Sequence, residues 1–149
     1  MIIYCGNDYN DIIQTFNKLP HFRLISGNFT SFALSVNEYL SLNNKTCVNI
    51  AFLLKTLNIN KDALIHNLSY FEYKKLEFLS AIIRGSSFIV FEEPSLFLTD
   101  NEKCEMANIL NLFNLSNIII FEKDIDFCKK IKGNIRYLPP YPKTSSLIN

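Results

Sequence analysis

The sequence predicts an α/β fold, a parallel sheet flanked by helices, on three observations. Short, almost continuously apolar runs recur along the chain; segments with apolar residues at helical spacing separate them; glycine or asparagine-rich breaks mark the joins. Strands of a parallel sheet read as uninterrupted apolar runs because helices cover both of its faces. At 149 residues the chain fits one domain, residues 1–149, long enough to bury a real core.

Met1 to Cys5 (MIIYC) is the first apolar run, ended by Gly6. Asp8 to Leu19 carries Ile12, Ile13 and Phe16 at helical spacing, with Pro20 as its stop. Phe22 to Ile25 is a second short strand, and the polar, turn-rich stretch Ser26 to Ser31 predicts a loop. Residues 35–67 predict a short helical insert: Val36, Tyr39 and Leu40, then Val48, Ala51, Phe52, Leu54 and Leu57, then Leu64 and Ile65, broken by Asn43–Asn44 and Asn58–Asn60.

Ser69 precedes a longer helix with Leu76, Leu79, Ile82 and Ile83 on one face, and Gly85 falls in the position of a C-cap glycine. Phe88 to Phe91 (FIVF) reads as a buried strand. Asp100 is the expected N-cap of a helix carrying Met106, Ile109, Leu110 and Phe113, and Asn117 to Phe121 (NIIIF) is the next strand. A last helix around Ile125 to Ile131 ends at Gly133, before a strand over Ile135 to Leu138. Pro139, Pro140 and Pro142 cannot continue a sheet interior, so residues 139–149 predict an irregular tail.

Composition narrows the function classes. Fifteen basic and fourteen acidic side chains, spread along the chain, give a net charge of +1 and no basic face for nucleic acid. Apolar residues at 48% and thirteen phenylalanines argue for a packed interior and against disorder. Asn, Ile, Lys, Phe and Tyr are abundant in the way of AT-rich coding, so an isolated polar residue carries little meaning. Cys5, Cys47, Cys104 and Cys128 lack C-x-x-C spacing and follow no signal-peptide pattern, so free thiols in a reducing cytosol are expected. No apolar run approaches the ~20 residues needed to span a bilayer, so no direct membrane insertion is expected. His21 and His66 have no carboxylate or thiol at ligand spacing and read as ordinary histidines.

The stretch Leu68 to Asp100, LSYFEYKKLEFLSAIIRGSSFIVFEEPSLFLTD, carries a chemical order as well as a structural one. It resembles the signature helix, Walker B strand and D-loop of ATP-binding-cassette (ABC) ATPases: L-S-G-G-Q, a helix, four apolar residues, D-E-P and a short loop ending in Asp. Ile118 to Asp124 (IIIFEKD) falls where the family has a strand and its switch histidine, and Ser35 to Leu40 (SVNEYL) resembles the T-V-x-E-x-L opening of its helical subdomain. The resemblance covers about Phe22 to Leu138 and implies a P-loop NTPase-like sheet.

It also implies roles. Glu92 takes the position of the family's magnesium-holding Asp, and Glu93 that of the carboxylate that polarises the attacking water. Glu in the metal position adds a methylene and moves the carboxylate by over an ångström. Ser69 matches the signature Ser, but Tyr70 and Phe71 replace the two glycines that admit a γ-phosphate, which leaves Ser69 as the N-cap of its helix. Lys123 replaces the switch histidine and could meet a phosphate only as a point charge. No G-x-x-x-x-G-K-[ST] string occurs in these residues. Gly6 stands where that phosphate loop would be, but Asn7-Asp8-Tyr9-Asn10-Asp11 supplies neither a second glycine nor a lysine and places acid where phosphate would lie. Ser26 or Asn28 occupies the neighbourhood of the family's loop glutamine.

Motif order kept and phosphate chemistry lost predict an ABC-ATPase-like subunit that holds no ATP or Mg²⁺ and acts through a transporter membrane subunit or another ABC ATPase. Such a protein would be cytoplasmic and peripheral to the inner membrane through its partner. Two further readings stay open: a free-standing regulatory protein, dimeric through the signature-helix face, and an active ATPase with an atypical phosphate loop.

Overall fold

The computed structural model describes residues 1–19, 22–25 and 33–138. The Ser26 to Ser31 loop, Pro20, His21 and the 139–149 tail therefore lie outside the described residues. Five strands, β1 (Ile2–Cys5), β2 (Phe22–Ile25), β3 (Phe88–Glu92), β4 (Ile118–Glu122) and β5 (Asn134–Tyr137), alternate with helices. The helices are α1 (Asn10–Phe16), α2 (Val36–Asn43), α3 (Ile50–Thr56), α4 (Tyr70–Ile83), α5 (Asp100–Leu112) and α6 (Ile125–Lys130).

All strand pairs are parallel, in the order β2-β3-β4-β1-β5. The connections through α4, α5 and α6 move one way across the sheet, and the connection through α1 moves the other way. Right-handed crossovers then place α4, α5 and α6 on one face and α1 on the opposite face. The two buried clusters agree: a large one holds residues of α4, α5 and α6, and a smaller one joins Tyr9 and Ile13 to Val90, Ile119 and Phe121. The direction of travel switches between β4 and β1, where open α/β sheets place their sites at the strand C-termini.

Three helices start on the same device. In Ser35-x-x-Glu38, Ser69-x-x-Glu72 and Thr99-x-x-Glu102 the hydroxyl accepts from the N3 amide while the glutamate accepts from the N-cap amide. The expectation that Asp100 caps α5 is corrected: Thr99 is the cap, and Asp100 is the first helical residue, where its charge favours the helix N-terminus. At the other end of α4, Gly85 has φ +66° and closes the helix one residue after Arg84, as its position predicts. The insert keeps α2 and α3, but Ile65–Asn67 is only a single 3-10 turn, and Ser35 and Leu64 form an isolated antiparallel bridge.

Helix α4 is buried nearly all round. Phe78 on it stacks against Phe91 of β3 at 5.7 Å and meets Phe113 edge-on at 5.8 Å. Lys75 donates to the carbonyl of Leu57 (2.9 Å) and to Glu105 (3.0 Å), which ties α4 to the end of α3 and to α5. Glu77 accepts from Arg23 of β2 (3.1 Å) and Tyr39 of α2 (3.0 Å).

Phe78→Ala is expected to lower the unfolding free energy by about 3–5 kcal/mol, through lost transfer energy and the cavity left behind. Leu42→Ala, at an exposed position, should stay within about 0.5 kcal/mol. Urea denaturation of both variants beside the parent checks the difference.

Candidate functional site at the strand C-termini

The C-terminal rim of the sheet gathers the polar residues that the apolar strands exclude. Strand β3 ends at Glu92, and the next residue, Glu93, turns out of the sheet with φ +44°, its amide donating to the carbonyl of Phe121 (2.7 Å). Its carboxylate receives the hydroxyl of Tyr9, the residue just before α1, and pairs with the ammonium of Lys123, the residue just after β4. Lys123 also lies over the Tyr9 ring, 5.6 Å from its centroid. The three side chains close on one another.

Burial pushes the Tyr9 phenol well above its usual range, and the Glu93 carboxylate beside it adds to that shift, so Tyr9 stays a donor. Burial by itself would raise Glu93, but Lys123 and Tyr9 outweigh it and hold the carboxyl below its usual range. Glu92 is shifted the other way, by burial and by the neighbouring Glu93 charge.

Two buried charges hold the loops around this trio. The Glu122 carboxylate accepts from the amides of Ser95 (2.9 Å), Lys123 (2.8 Å) and Asp124 (3.0 Å). The Lys74 ammonium donates to the carbonyls of Glu93 (2.8 Å), Pro94 (3.2 Å) and Leu96 (2.9 Å) and lies 4.8 Å from the Tyr70 ring centroid. Burial pushes Lys74 down to about 8, against the pull of Glu122 and Glu93. The loop therefore has its carbonyls gathered by a cation and an amide held by an anion, and it carries two left-handed non-glycine residues, Glu93 and Phe97 (φ +61°). A cleft of about 220 Å³ lies beside it, walled by Leu98, Lys103 and Asp124 among others. Asp124 caps α6 and pairs with Lys103 at 2.8 Å.

No family model matches the chain. The chain is similar to the nucleoside import ATP-binding protein NupA of Lactococcus lactis subsp. cremoris (strain MG1363), 30% identical along an alignment of 130 positions that covers 77% of this chain and 24% of that protein. It thus spans about a quarter of that relative's length. Its backbone is similar to that of a metal-chelate type ABC transporter in an inward-facing conformation, with a TM-score of 0.73 at 15% identity over 93% of this chain and 68% of that one. It is also similar to cbiO1 of Clostridium perfringens, part of the ABC transporter complex cbiONQ, with a TM-score of 0.69 at 16% identity over 91% and 72%. The ATP-binding cassette MJ0796, in a dimeric post-hydrolysis state with ADP and Pi, superposes with a TM-score of 0.66 at 12% identity over 93% and 80%. The fold is that of an ATP-binding cassette.

On this cassette fold Glu92, Glu93 and Lys123 come together at the rim. Gly6 reaches it through its amide, which donates to the Glu122 carbonyl (3.0 Å), and only four residues, Gly6 to Tyr9, link β1 to α1. A Cβ on Gly6, at φ +154°, would lie 2.8 Å from the Leu138 Cβ, so this glycine permits close packing against the residue after β5. Ser69 stays local: its hydroxyl accepts from the Glu72 amide (3.2 Å). Tyr70 packs edge-on to Phe97 at 5.9 Å, and Phe71 is buried beneath the Lys75 ammonium. His66 is exposed, and His21, Ser26 and Asn28 lie outside the described residues.

Sequence reasoning missed Tyr9, Lys74 and Glu122. Lys74 and Lys75 did leave a signal, because with Phe71 and Phe78 they fall on one stripe at i, i+3, i+4 and i+7.

Lys74→Met is expected to destabilise the chain by roughly 3 kcal/mol, since the carbonyls it gathers lose their donor. Amide hydrogen exchange should rise across Ser95 to Leu98 while the core strands stay protected. For Glu93 the folded carboxyl ionises at lower pH than the unfolded one. Its contribution is therefore complete above about pH 4.3 and is lost as pH falls through the lower folded value. Melting temperatures of the parent and Glu93→Gln, followed from about pH 7 to pH 3, should converge at the acid end.

Proposed function

We propose that this chain is an ABC-transporter ATP-binding-subunit-like protein that does not hydrolyse ATP and acts through association with a membrane subunit or a competent cassette partner. The observation that carries this reading is the closure of Glu93 by Tyr9 and Lys123. A carboxylate that polarises water needs an open approach, and this one is already bonded on two sides by the chain itself.

The residues present do not fit magnesium and a triphosphate. A metal ion at Glu92 and Glu93 would meet the Lys123 ammonium, and Glu122 spends its oxygens on backbone amides. The four-residue link after β1 is too short for the eight-residue phosphate loop and carries Asp8. Among the described residues no group of three metal-binding side chains converges. The fold supports association as the remaining role: the insert is bound to the core through α4, and no described helix is long and apolar enough to cross a membrane. The partner, and residence at the inner membrane through it, belong to this proposal. So does the single-domain organisation with residues 35–67 as its docking insert.

A thermal-shift titration with ATP, with and without Mg²⁺, tests the reading beside an ATPase assay. A nucleotide at a hundred times its Kd would add about 2.7 kcal/mol and raise the melting temperature by several degrees. The expected result is no saturable shift and no turnover. A magnesium-dependent shift with turnover that Glu93→Gln abolishes would establish an atypical ATPase instead.

A further inference from the structure

Away from the rim, α5 and α6 set a thiol against an amine. Cys104 of α5 is exposed, and its Sγ accepts from the Lys130 ammonium at the end of α6, with N and S 3.5 Å apart. The two residues are 26 positions apart in the chain, so tertiary packing makes the pair. Both ends of α6 are tied to α5. At its start Asp124 caps α6 and pairs with Lys103 of α5 at 2.8 Å. At its end the Asn111 side chain donates to the Lys130 carbonyl (3.0 Å) and accepts from the Lys132 amide (2.6 Å). Asn111 follows Cys104 at i+7, on the same stripe of α5. The Lys130 backbone is thereby fixed against α5, and its side chain runs from that tie to the sulfur.

The Lys130 nitrogen has no competing partner. Lys75, Lys103, Lys123 and Lys129 each pair with a carboxylate, whereas Lys130 pairs with none among the described residues. The chain also carries its own comparison. Cys47 is exposed as well, but among the described residues no ammonium donates to its sulfur; Cys5 and Cys128 are buried.

We infer that Cys104 and Lys130 are an oxidative modification site, which hydrogen peroxide closes into a covalent S–N strap, a sulfenamide, between α5 and α6. Peroxide first takes an electron pair from sulfur: an S–O bond forms, the O–O bond breaks, and the thiol becomes a sulfenic acid with release of water. The Lys130 ammonium yields one proton to solvent, and the amine lone pair attacks the sulfur. The S–N bond forms as the S–O bond breaks, and the hydroxyl leaves as water with a second N–H proton. Sulfur is oxidised by two electrons and peroxide is reduced by two. Nitrogen captures sulfenic acids in the same way when a sulfenamide closes on a backbone amide. A thiol reverses the strap by attacking its sulfur and releasing the amine. The inference needs neither nucleotide nor partner, so it stands apart from the function proposed above.

Mass spectrometry of the full chain after brief treatment with hydrogen peroxide provides the test. The expected product is lighter by about 2 Da, gives proteolytic peptides joined through Cys104 and Lys130, and returns to the parent mass with dithiothreitol. Dimedone, which traps sulfenic acids, should label Cys47 and leave Cys104 about tenfold less labelled. Lys130→Arg keeps the charge but should bring Cys104 up to the level of Cys47, and Cys104→Ser should abolish the joined peptides. Both variants change exposed side chains, and parental melting checks that they fold. Labelling of Cys104 equal to that of Cys47 in the parent, or unchanged in Lys130→Arg, would overturn the inference. So would a lighter product without Lys130 in its joined peptides, which would make the modification a disulfide or a ring on the backbone at Cys104.

Discussion

The Glu122 carboxylate ends a strand of five buried residues and is itself only 2% exposed. A charge in that position is tolerable only where the fold brings donors to it. Three backbone amides do so, one from the loop after β3 and two from the turn after β4. Bonds of this kind are roughly twice as strong as neutral ones, so one side chain fixes both segments that frame the rim. Lys74 supplies the opposite charge from the other side, gathering carbonyls of the same loop. Left-handed residues such as Glu93 and Phe97 cost of order 1–3 kcal/mol each and persist where their surroundings over-determine them. The two buried charges provide that surrounding, and the placement of Glu93 against Tyr9 and Lys123 follows from it.

Helix α4 links this rim to the insert. Lys74 on it reaches the loop, Lys75 reaches the end of α3 and α5, and Glu77 reaches β2 and α2. These residues lie within one turn, so the chain's polar architecture is concentrated on one helix that is otherwise apolar. The rim carries ammonium groups of its own, those of Lys74, Lys103 and Lys123, among its carboxylates.

Much of this fold was legible in the sequence, because three of the strands are almost continuous apolar runs and three of the helices open on S-x-x-E or T-x-x-E. The cap of α5 was misplaced by one residue because Thr99 and Asp100 are both good acceptors; Glu102, three residues after Thr99, decides between them. Glu92, Glu93 and Lys123 could be found because they fall at the Walker B and switch positions of the motif order that the sequence resembles. Tyr9 could not, since it meets Glu93 across 84 residues and only the β3–β4 and β4–β1 pairings together bring them close. Glu122 reads as one more polar residue after an apolar run, and its meaning depends on amides that local sequence does not reveal. The two buried lysines of α4 were missed, although they stand as polar residues on an apolar stripe.

The chain's own Tyr9 and Lys123 fill the approach to Glu93. A crystal structure grown with excess magnesium and a non-hydrolysable ATP analogue tests it most directly. The expected result is Glu93 still held between the Tyr9 hydroxyl and the Lys123 ammonium, with no triphosphate along Gly6 to Tyr9. Lys123 drawn aside, with phosphates on those amides and a metal ion on Glu92 or Glu93, would contradict it.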